Sequence, residues 1–225
     1  PKATINDQFL CIVGGALHAY LSAKKELPDT SMVAMVPMTL RGQEKGGDVG
    51  NQVGFTLMPV HSEIEDPLER LRAICDAAAT SKRVTDAIGK ELARDLLETL
   101  PSIVANPLLR NVQTPRIGLI VSNVRGPDVP LYMAGAQLVN YAPISIALDG
   151  MGLNVTAFSY AGHMWICAVS CREMLPDPSF FADCLRVAFE QMKEAAAREA
   201  AFTVAEMAAL ATLEDDRTLE GKVAR

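Results

Sequence analysis

Residues 117–130 read IGLIVSNVRGPDVP, and this stretch predicts the centre of the fold. Ile117 to Val121 is a continuous apolar run, which is typical of a strand buried on both faces of a sheet. Ser122 to Pro130 then combines polar residues with a glycine and two prolines, which predicts a turn-rich link. A strand of this kind needs neighbouring strands beside it and covering layers above and below. It therefore indicates a layered α/β domain.

Three more strands and a long helix are predicted after this link. The strands are expected at Leu138 to Ser145, Leu153 to Ser159 and, after a turn at Ala161-Gly162, Trp165 to Ser170. Asp177-Pro178 is typical of a helix start. A separate Ala/Glu-rich helix is expected near Thr203, followed by a charged tail.

The chain before residue 117 has a different order: a helix, two strands and two helices. Asn6 is predicted to be the N-cap of the first helix, with Asp7 in its first turn. The other elements are expected at Ser31 to Leu40, at Asn51 to Val60, from Asp66-Pro67 onward and from about Asp86 to Ile103. The complete order predicts a layered α/β sandwich with a central mixed sheet. It does not show the regular alternation of strand and helix found in doubly wound nucleotide-binding folds.

Composition excludes several classes of function. The chain has 225 residues, a formal net charge of -6 and 5% aromatic residues, so neither a basic face nor base-stacking platforms for nucleic acid are expected. Its five cysteines are odd in number and form no CxxC pair, which argues against a disulfide framework or structural zinc. We expect a reducing, cytoplasmic compartment, with each cysteine acting as a small buried apolar residue. No apolar run is long enough to predict a transmembrane helix.

Familiar catalytic motifs are missing from the sequence. His18, His61 and His163 begin neither HxxxD nor HExxH, and all three are predicted to be surface histidines. GxSxG, P-loop and GxGxxG patterns do not occur. A cluster of glycines and cations over Arg41 to Gly47 fits either a phosphate cradle or a flexible link. Nothing predicts a metal site or a bound cofactor.

Five segments together carry a family resemblance. They are TINDQFL (4–10), GNQVGFTLMPV (50–60), VSNVRGPDVPLYMAGAQLV (121–139), GLNVTAFSYAG (152–162) and REMLPD (172–177). In this order, from about Thr4 to Met192, they resemble the C-terminal half of the bacterial wax ester synthase/diacylglycerol acyltransferase family. One departure is Arg125, where the family usually has proline.

The resemblance implies an acyl-CoA-dependent O-acyltransferase with a chloramphenicol acetyltransferase-like fold, in which two similar domains surround a tunnel. Acyl-CoA is the expected substrate, and no cofactor is implied. A long-chain acyl group would move from coenzyme A to a fatty alcohol or diacylglycerol. The general base of this family belongs to an HHxxxDG motif in the N-terminal half, and that motif is absent from this sequence. Residues 1–202 would be the C-terminal acyltransferase domain and residues 203–225 a helix with a charged tail, and the chain alone is expected to be inactive.

Site residues are implied by the same resemblance. Ser122 or Asn123 would donate a hydrogen bond to the oxyanion of the tetrahedral intermediate, although a strand-end pair that caps a turn explains them equally well. The remaining candidates are implied to bind substrate and have simpler explanations as a helix cap or as turns: Asn6, Asp7, Gly50, Asn51, Gly126 and Pro127. Val53 to Val60 could line an acyl channel or belong to the ordinary core.

Two other functions remain open at the level of the sequence. One is a noncatalytic binding or scaffolding domain of the same fold, and the other is a condensation-type enzyme that uses carrier-bound acyl groups. The implied partner is the N-terminal half of the same enzyme. Lipid substrates lead us to expect peripheral contact with a membrane or lipid droplet, although no polybasic stretch indicates it.

Overall fold

The computed structural model describes residues 3–39, 53–88 and 117–223. Three helices lie in this part of the chain: α1 (Ile5–Lys24), α2 (Pro67–Ile88) and α3 (Pro178–Val223). The strands are β1 (Val33–Thr39), β2 (Val53–Pro59), β3 (Ile117–Arg125), β4 (Tyr132–Met133), β5 (Ala136–Gln137), β6 (Leu153–Tyr160) and β7 (His163–Ser170).

A mixed five-stranded sheet forms the centre of the fold, with strand order β2-β1-β3-β6-β7. The β3 strand is parallel to both of its neighbours, β1 and β6, whereas the outer pairs β1-β2 and β6-β7 are antiparallel. Parallel neighbours on both sides suit the unbroken apolar run at residues 117–121, because such a strand loses contact with water on both faces. The predicted layered α/β sandwich with a central mixed sheet is confirmed.

The two faces of the sheet have different coverings. Leu119 and Val121 of β3 point into a core that includes Phe9 and Leu10 of α1 and Phe181 of α3. We call this the helix face. Successive side chains of a strand alternate between faces, so even-numbered residues of β3 and β6 lie on the opposite one. We call that surface the arm face, because residues 127–150, the arm, reach across it.

Side chains rather than strand pairing attach the arm to the sheet. The Tyr160 hydroxyl accepts a hydrogen bond from the Leu131 backbone amide (2.7 Å) and donates one to the Leu138 carbonyl (2.9 Å). The Tyr141 ring stacks on Phe158 with 4.1 Å between ring centroids. The strand predicted at Leu138 to Ser145 is therefore wrong. Residues 138–147 form no ladder, and only the short β4-β5 hairpin precedes them.

The turn predicted to begin at Ser122 is also wrong, because β3 continues to Arg125. Its register with β6 runs without interruption from Leu119↔Leu153 to Arg125↔Ser159. Backbone pairing does not require apolar side chains, so the strand extends past the apolar run into residues that are only partly buried.

The first helix is capped by Thr4 instead of Asn6. The Thr4 hydroxyl accepts a hydrogen bond from the Asp7 amide (3.2 Å), and the Asp7 carboxylate accepts one from the Thr4 amide (2.8 Å). This is a reciprocal capping box, with Asp7 rather than glutamate at its third helical position. Asn6 lies inside the first turn, where a cap is no longer possible.

Two further helix predictions need correction or remain open. The separate helix expected near Thr203 does not exist, because α3 runs unbroken from Pro178 to Val223. The proposed boundary between residues 1–202 and 203–225 therefore falls inside a continuous helix. The helix expected from Asp86 to Ile103 lies almost entirely outside the described residues, and Asp86 itself belongs to α2.

Gly14 allows α1 to touch the loop that follows β2. A Cβ atom at this position would lie 2.0 Å from the Val60 carbonyl oxygen. Intrinsic helix propensity alone would make Gly14→Ala stabilising by about 1 kcal/mol. We expect the reverse, a loss of about 2 kcal/mol or more in the free energy of unfolding, because a backbone atom cannot move aside cheaply. Urea denaturation measures the difference, with Ser22→Ala at an exposed position of α1 as the control, and a stabilised Gly14→Ala variant would contradict this packing.

Candidate functional site

Ser122 and Asn123 lie on opposite faces of β3. Ser122 is on the arm face, where its neighbour across the parallel register is Thr156. Asn123 is on the helix face and has Ala157 as its neighbour. Both side chains are partly buried, and neither makes a hydrogen bond to any described residue. Among the described residues no hydrogen bond supports the turn-cap explanation, and the two side chains cannot serve the same oxygen atom.

The side chains in the same row of the sheet as Ser122 are polar. Thr156 lies beside it on β6, and Cys167 follows on β7, so the register places a hydroxyl, a hydroxyl and a thiol in one row. The Thr156 hydroxyl donates to the Asn154 Oδ1 atom at 2.8 Å. Asn154 Nδ2 donates in turn to the Ser145 hydroxyl (3.1 Å) and the Ile146 carbonyl (2.9 Å).

Asn154 and Thr156 are site residues that the sequence reasoning missed. Both are buried, with 2% and 6% of their surface exposed. Burial of polar groups is costly unless their hydrogen bonds are made, so a buried, fully engaged pair marks an organised part of the structure. The signal was present in the sequence: the strand LNVTAF places two polar residues two positions apart, and therefore on one face.

Gly126 and Pro127 hold the end of β3 against the β6-β7 hairpin. A Cβ atom on Gly126 would lie 2.2 Å from the Ser159 carbonyl oxygen, and the Gly126 amide donates to the Ser159 hydroxyl at 3.2 Å. The Pro127 carbonyl accepts from the Ala161 amide at 3.0 Å. These contacts explain both residues structurally, and their role in substrate binding stays a prediction.

The other candidates are not brought to Ser122. Asp7 is buried and engaged in the capping box of α1, on the helix side of the sheet. Asn6 follows the cap in the same turn, and its side chain makes no hydrogen bond to a described residue. Gly50 and Asn51, like the cluster from Arg41 to Gly47, lie outside the described residues.

None of the three histidines is placed to act on Ser122. His18 Nδ1 lies 2.8 Å from the Ser62 carbonyl oxygen, and His61 Nδ1 lies 2.9 Å from a carboxylate oxygen of Glu63. His163 starts β7 rather than sitting in the hairpin turn, and it pairs with Tyr160. Thr156 is four residues before Tyr160 on β6, so His163 is about 13 Å along the sheet from the row that contains Ser122.

The cysteines divide into two groups. Cys11, Cys75 and Cys184 are buried, as predicted, and burial raises the pKa of each thiol above its usual value. Cys167 is only partly buried, and Cys171 is exposed, so the prediction of buried cysteines is wrong for the latter. Cys171 immediately follows the last residue of β7, where the chain leaves the sheet.

A charged cleft of about 830 Å³ lies among α1, the loop after β2, α2 and α3. Its lining includes His18, Glu63, Arg70, Glu194 and Arg198, and Ser122 is not part of it. Arg70 is buried and donates to the Ile64 and Glu65 carbonyl oxygens, which fixes the loop between β2 and α2. Sites for apolar ligands are mostly apolar, so this lining does not suit a fatty acyl chain.

The described residues contain neither a helix that could span a membrane nor a cluster that could hold a metal ion. None of the helices there has the length and apolar character needed to cross a bilayer. No group of three or more His, Cys, Asp or Glu side chains in the same residues is arranged to hold a metal ion.

Comparison with known proteins gives consistent matches. The family model for the WS/DGAT C-terminal domain matches residues 49–193. The chain is 35% identical over 181 residues to the O-acyltransferase WSD of Acinetobacter baylyi, covering 78% of this chain and 38% of that protein. It is 34% identical over 195 residues to a Mycobacterium tuberculosis protein that carries the name diacylglycerol O-acyltransferase, covering 85% of this chain and 43% of the other.

A solved structure matches at the level of the fold. It is the wax ester synthase/diacylglycerol acyltransferase from Marinobacter aquaeolei VT8, with a TM-score of 0.69, 25% identity, and coverage of 87% of this chain and 44% of that one. The chain thus spans about two fifths of the length of these relatives, 38% to 44%. Since the family model covers more than half of the 225 residues, the resemblance is confirmed, and the chain belongs to the WS/DGAT C-terminal domain family.

Proposed function

We propose that the complete polypeptide is an acyl-CoA-dependent O-acyltransferase that moves a long-chain acyl group to a fatty alcohol or diacylglycerol. This chain would supply its C-terminal half. Support comes from the family and from the activities for which relatives in Acinetobacter and Marinobacter are named. Acyl-CoA acts here as a substrate, and no bound cofactor is part of the proposal.

The observation that carries the proposal is the position of Ser122. Its hydroxyl is on β3, whose parallel pairing with β6 continues through Ser122 to Arg125 while the pairing with β1 ends at Ile120, and it makes no hydrogen bond to a described residue. An oxyanion donor is effective when it is positioned in advance and does not have to reorganise. Ser122 meets this condition on the arm face, whereas Asn123 faces the helices.

The reaction divides between this chain and the remainder of the polypeptide. A general base outside the chain would remove the proton of the acceptor alcohol, and the resulting alkoxide oxygen would attack the thioester carbonyl carbon. The carbonyl oxygen becomes an oxyanion and accepts a hydrogen bond from the Ser122 hydroxyl. Collapse of the tetrahedral intermediate re-forms the carbonyl and breaks the carbon–sulfur bond. The departing thiolate of coenzyme A takes the proton from the base, which yields ester and free thiol.

The arm is the proposed contact with the N-terminal half. Nine of its large apolar side chains are exposed: Val129, Leu131, Tyr132, Met133, Val139, Tyr141, Ile144, Ile146 and Leu148. An apolar surface of this extent is typical of an interface. From Gly126 to Gly162 the sequence has two aspartates and no lysine or arginine. This charge pattern does not suit an anionic bilayer, which attracts cationic segments. An apolar protein surface fits better, and peripheral contact with a membrane or lipid droplet remains a separate prediction.

An assay of the complete polypeptide tests this function directly. Palmitoyl-CoA and hexadecanol would be supplied, and release of free thiol would be measured together with the ester product. We expect equal amounts of thiol and ester. Transfer from an acylated carrier protein but not from palmitoyl-CoA would favour a condensation-type enzyme. Absence of transfer from either donor, with both substrates bound, would favour a noncatalytic domain.

A further inference from the structure

Residues 141–147, here called the strap, cross the arm face directly above β6. Tyr141 stacks on Phe158 at one end, and Ser145 and Ile146 accept hydrogen bonds from Asn154 at the other. The attachment points on β6 are four residues apart, which corresponds to about 13 Å. Tyr141 contacts the later of these two positions on β6 and Ser145 the earlier one, so the strap runs opposite to β6.

The exposure of the strap alternates along its length. Pro143, Ser145 and Ala147 are partly buried, whereas Ile144 and Ile146 are 79% and 67% exposed. This alternation turns the smaller side chains toward the sheet and the two isoleucines away from it, and the Ile144 amide donates to the Ala142 carbonyl (3.0 Å) in a tight turn at Pro143. One side of the strap therefore faces the sheet. The strap backbone forms no ladder with the strands.

Thr156 lies between the two attachment points, and Ser122 is its register neighbour on β3. Neighbouring strands are about 4.8 Å apart, so the strap above β6 is offset sideways from Ser122 by about one strand spacing. Thr156 is almost completely buried under this covering, but Ser122 remains partly open beside it. The strap edge and β3 together form two sides of the space that the Ser122 hydroxyl faces.

Asn154 is the residue that makes this arrangement costly to change. It is buried between Ile120 and Val169, its apolar register neighbours on β3 and β7. Displacement of the strap would leave both of its amide donor bonds unmade in that setting, and an unsatisfied buried polar group costs about 1–3 kcal/mol. Thr156 contributes from the other side, since its hydroxyl donates to Asn154 Oδ1 and fixes which way the amide points.

We propose that Asn154 and Thr156 are positioning residues that hold the strap as one wall of the acyl channel at Ser122. The strap then determines which acyl chain lengths are transferred. This inference rests on the proposed acyltransferase function, because it takes the open space beside Ser122 to be the acyl-binding side of the site. Neither residue touches the reacting atoms, and both act through the strap.

The test uses the complete polypeptide with Asn154→Leu, which keeps the branching and the number of side-chain heavy atoms but removes all three hydrogen bonds. Hydrogen exchange of the strap amides is measured first, and we expect faster exchange. The ratio of kcat/KM for palmitoyl-CoA to that for octanoyl-CoA is measured next. We expect it to move toward one by about fivefold or more, because a loosened wall discriminates less between substrates. Thr80→Val is the control, since Thr80 is exposed on α2 and bonds only within its own helix.

A milder variant protects the test against misfolding. Thr156→Val is isosteric and removes one hydroxyl while leaving both bonds from Asn154 to the strap in place. We expect strap amides to exchange faster and the ratio of kcat/KM values to move toward one, as in Asn154→Leu, but both changes should be smaller. If the strap amides of both variants exchange hydrogen at the wild-type rate, Asn154 and Thr156 do not position the strap. If exchange rises but the ratio stays constant, the strap is not a wall of the acyl channel.

Failure of the proposed function would look different. A Ser122→Ala variant with normal turnover would remove the oxyanion role of Ser122 but would leave the substrate ratio of Asn154→Leu as an independent measurement. A changed ratio would then still support a strap-lined acyl channel. An unchanged ratio alongside an impaired Ser122→Ala variant would reject the strap inference alone.

Discussion

In the complete polypeptide, Ser122→Ala is expected to lower kcat by about a hundredfold or more with little change in melting temperature. Loss of one preorganised oxyanion donor raises the activation barrier by roughly 3–4 kcal/mol. Because the Ser122 hydroxyl makes no hydrogen bond to a described residue, its removal takes no described hydrogen bond from the folded state. KM for palmitoyl-CoA should remain close to normal, since the donor acts on charge that develops only in the transition state. Steady-state kinetics and thermal melting together measure these effects.

The neighbouring residue provides a sharp comparison. Asn123→Ala changes the next position of the same strand, but on the helix face, and we expect its kcat to fall by less than about threefold. Ser170→Ala on β7 is a matched serine control, because its register neighbour Leu153 also lies on the helix face. A large loss of kcat in Asn123→Ala with normal turnover in Ser122→Ala would reverse the assignment. Near-normal kcat in both variants would show that the pair is structural.

The 225-residue chain alone is expected to transfer no acyl group above the uncatalysed background. Its three histidines are occupied elsewhere or remote from Ser122, so the chain offers no histidine as general base at the proposed site. Thiol release from palmitoyl-CoA in the presence of hexadecanol measures this activity. Robust turnover by the pure chain would contradict the proposal that the general base lies outside it.

The same preparation tests the arm as an interface. The isolated chain should bind a hydrophobic dye strongly and should self-associate, because its exposed apolar side chains have no partner chain to cover them. Addition of the N-terminal half should reduce dye binding and restore acyl transfer. Ile146→Asp should weaken this restoration, since it puts a charge at a largely exposed apolar position of the arm. A monomeric chain that does not bind the dye would contradict the proposed interface.

The sequence predicted most helices and strands because their signals are local. The apolar run from Ile117 to Val121, the alternation in Leu153 to Ser159 and the helix start at Asp177-Pro178 each appear in the structure close to the expected bounds. Such patterns depend on periodicity and on turn residues within one segment, and no distant contact is needed to read them. The ordered motifs likewise identified the family.

Local signals failed where a distant partner decided the conformation. Leu138 to Ser145 has the apolar content of a strand, but Tyr160, Phe158 and Asn154 hold this part of the arm by their side chains, and no ladder forms. Ser122 to Arg125 has the content of a turn, but β6 provides backbone partners as far as Ser159. Whether a backbone pairs depends on what lies next to it, and the sequence of the segment does not contain that information.

The candidate site shows the same division. The family resemblance in the sequence named Ser122 and Asn123 as alternatives for one role, and they are adjacent in the chain and both can donate a hydrogen bond. Only the tertiary structure separated them, because extension of β3 beside β6 turns successive side chains to opposite faces of the sheet. It also joined Asn154 and Thr156 of β6 to Ser145 of the strap. The chemistry of each side chain is fixed by its residue type, but which groups face a common space is fixed by strand register and by the covering of each face.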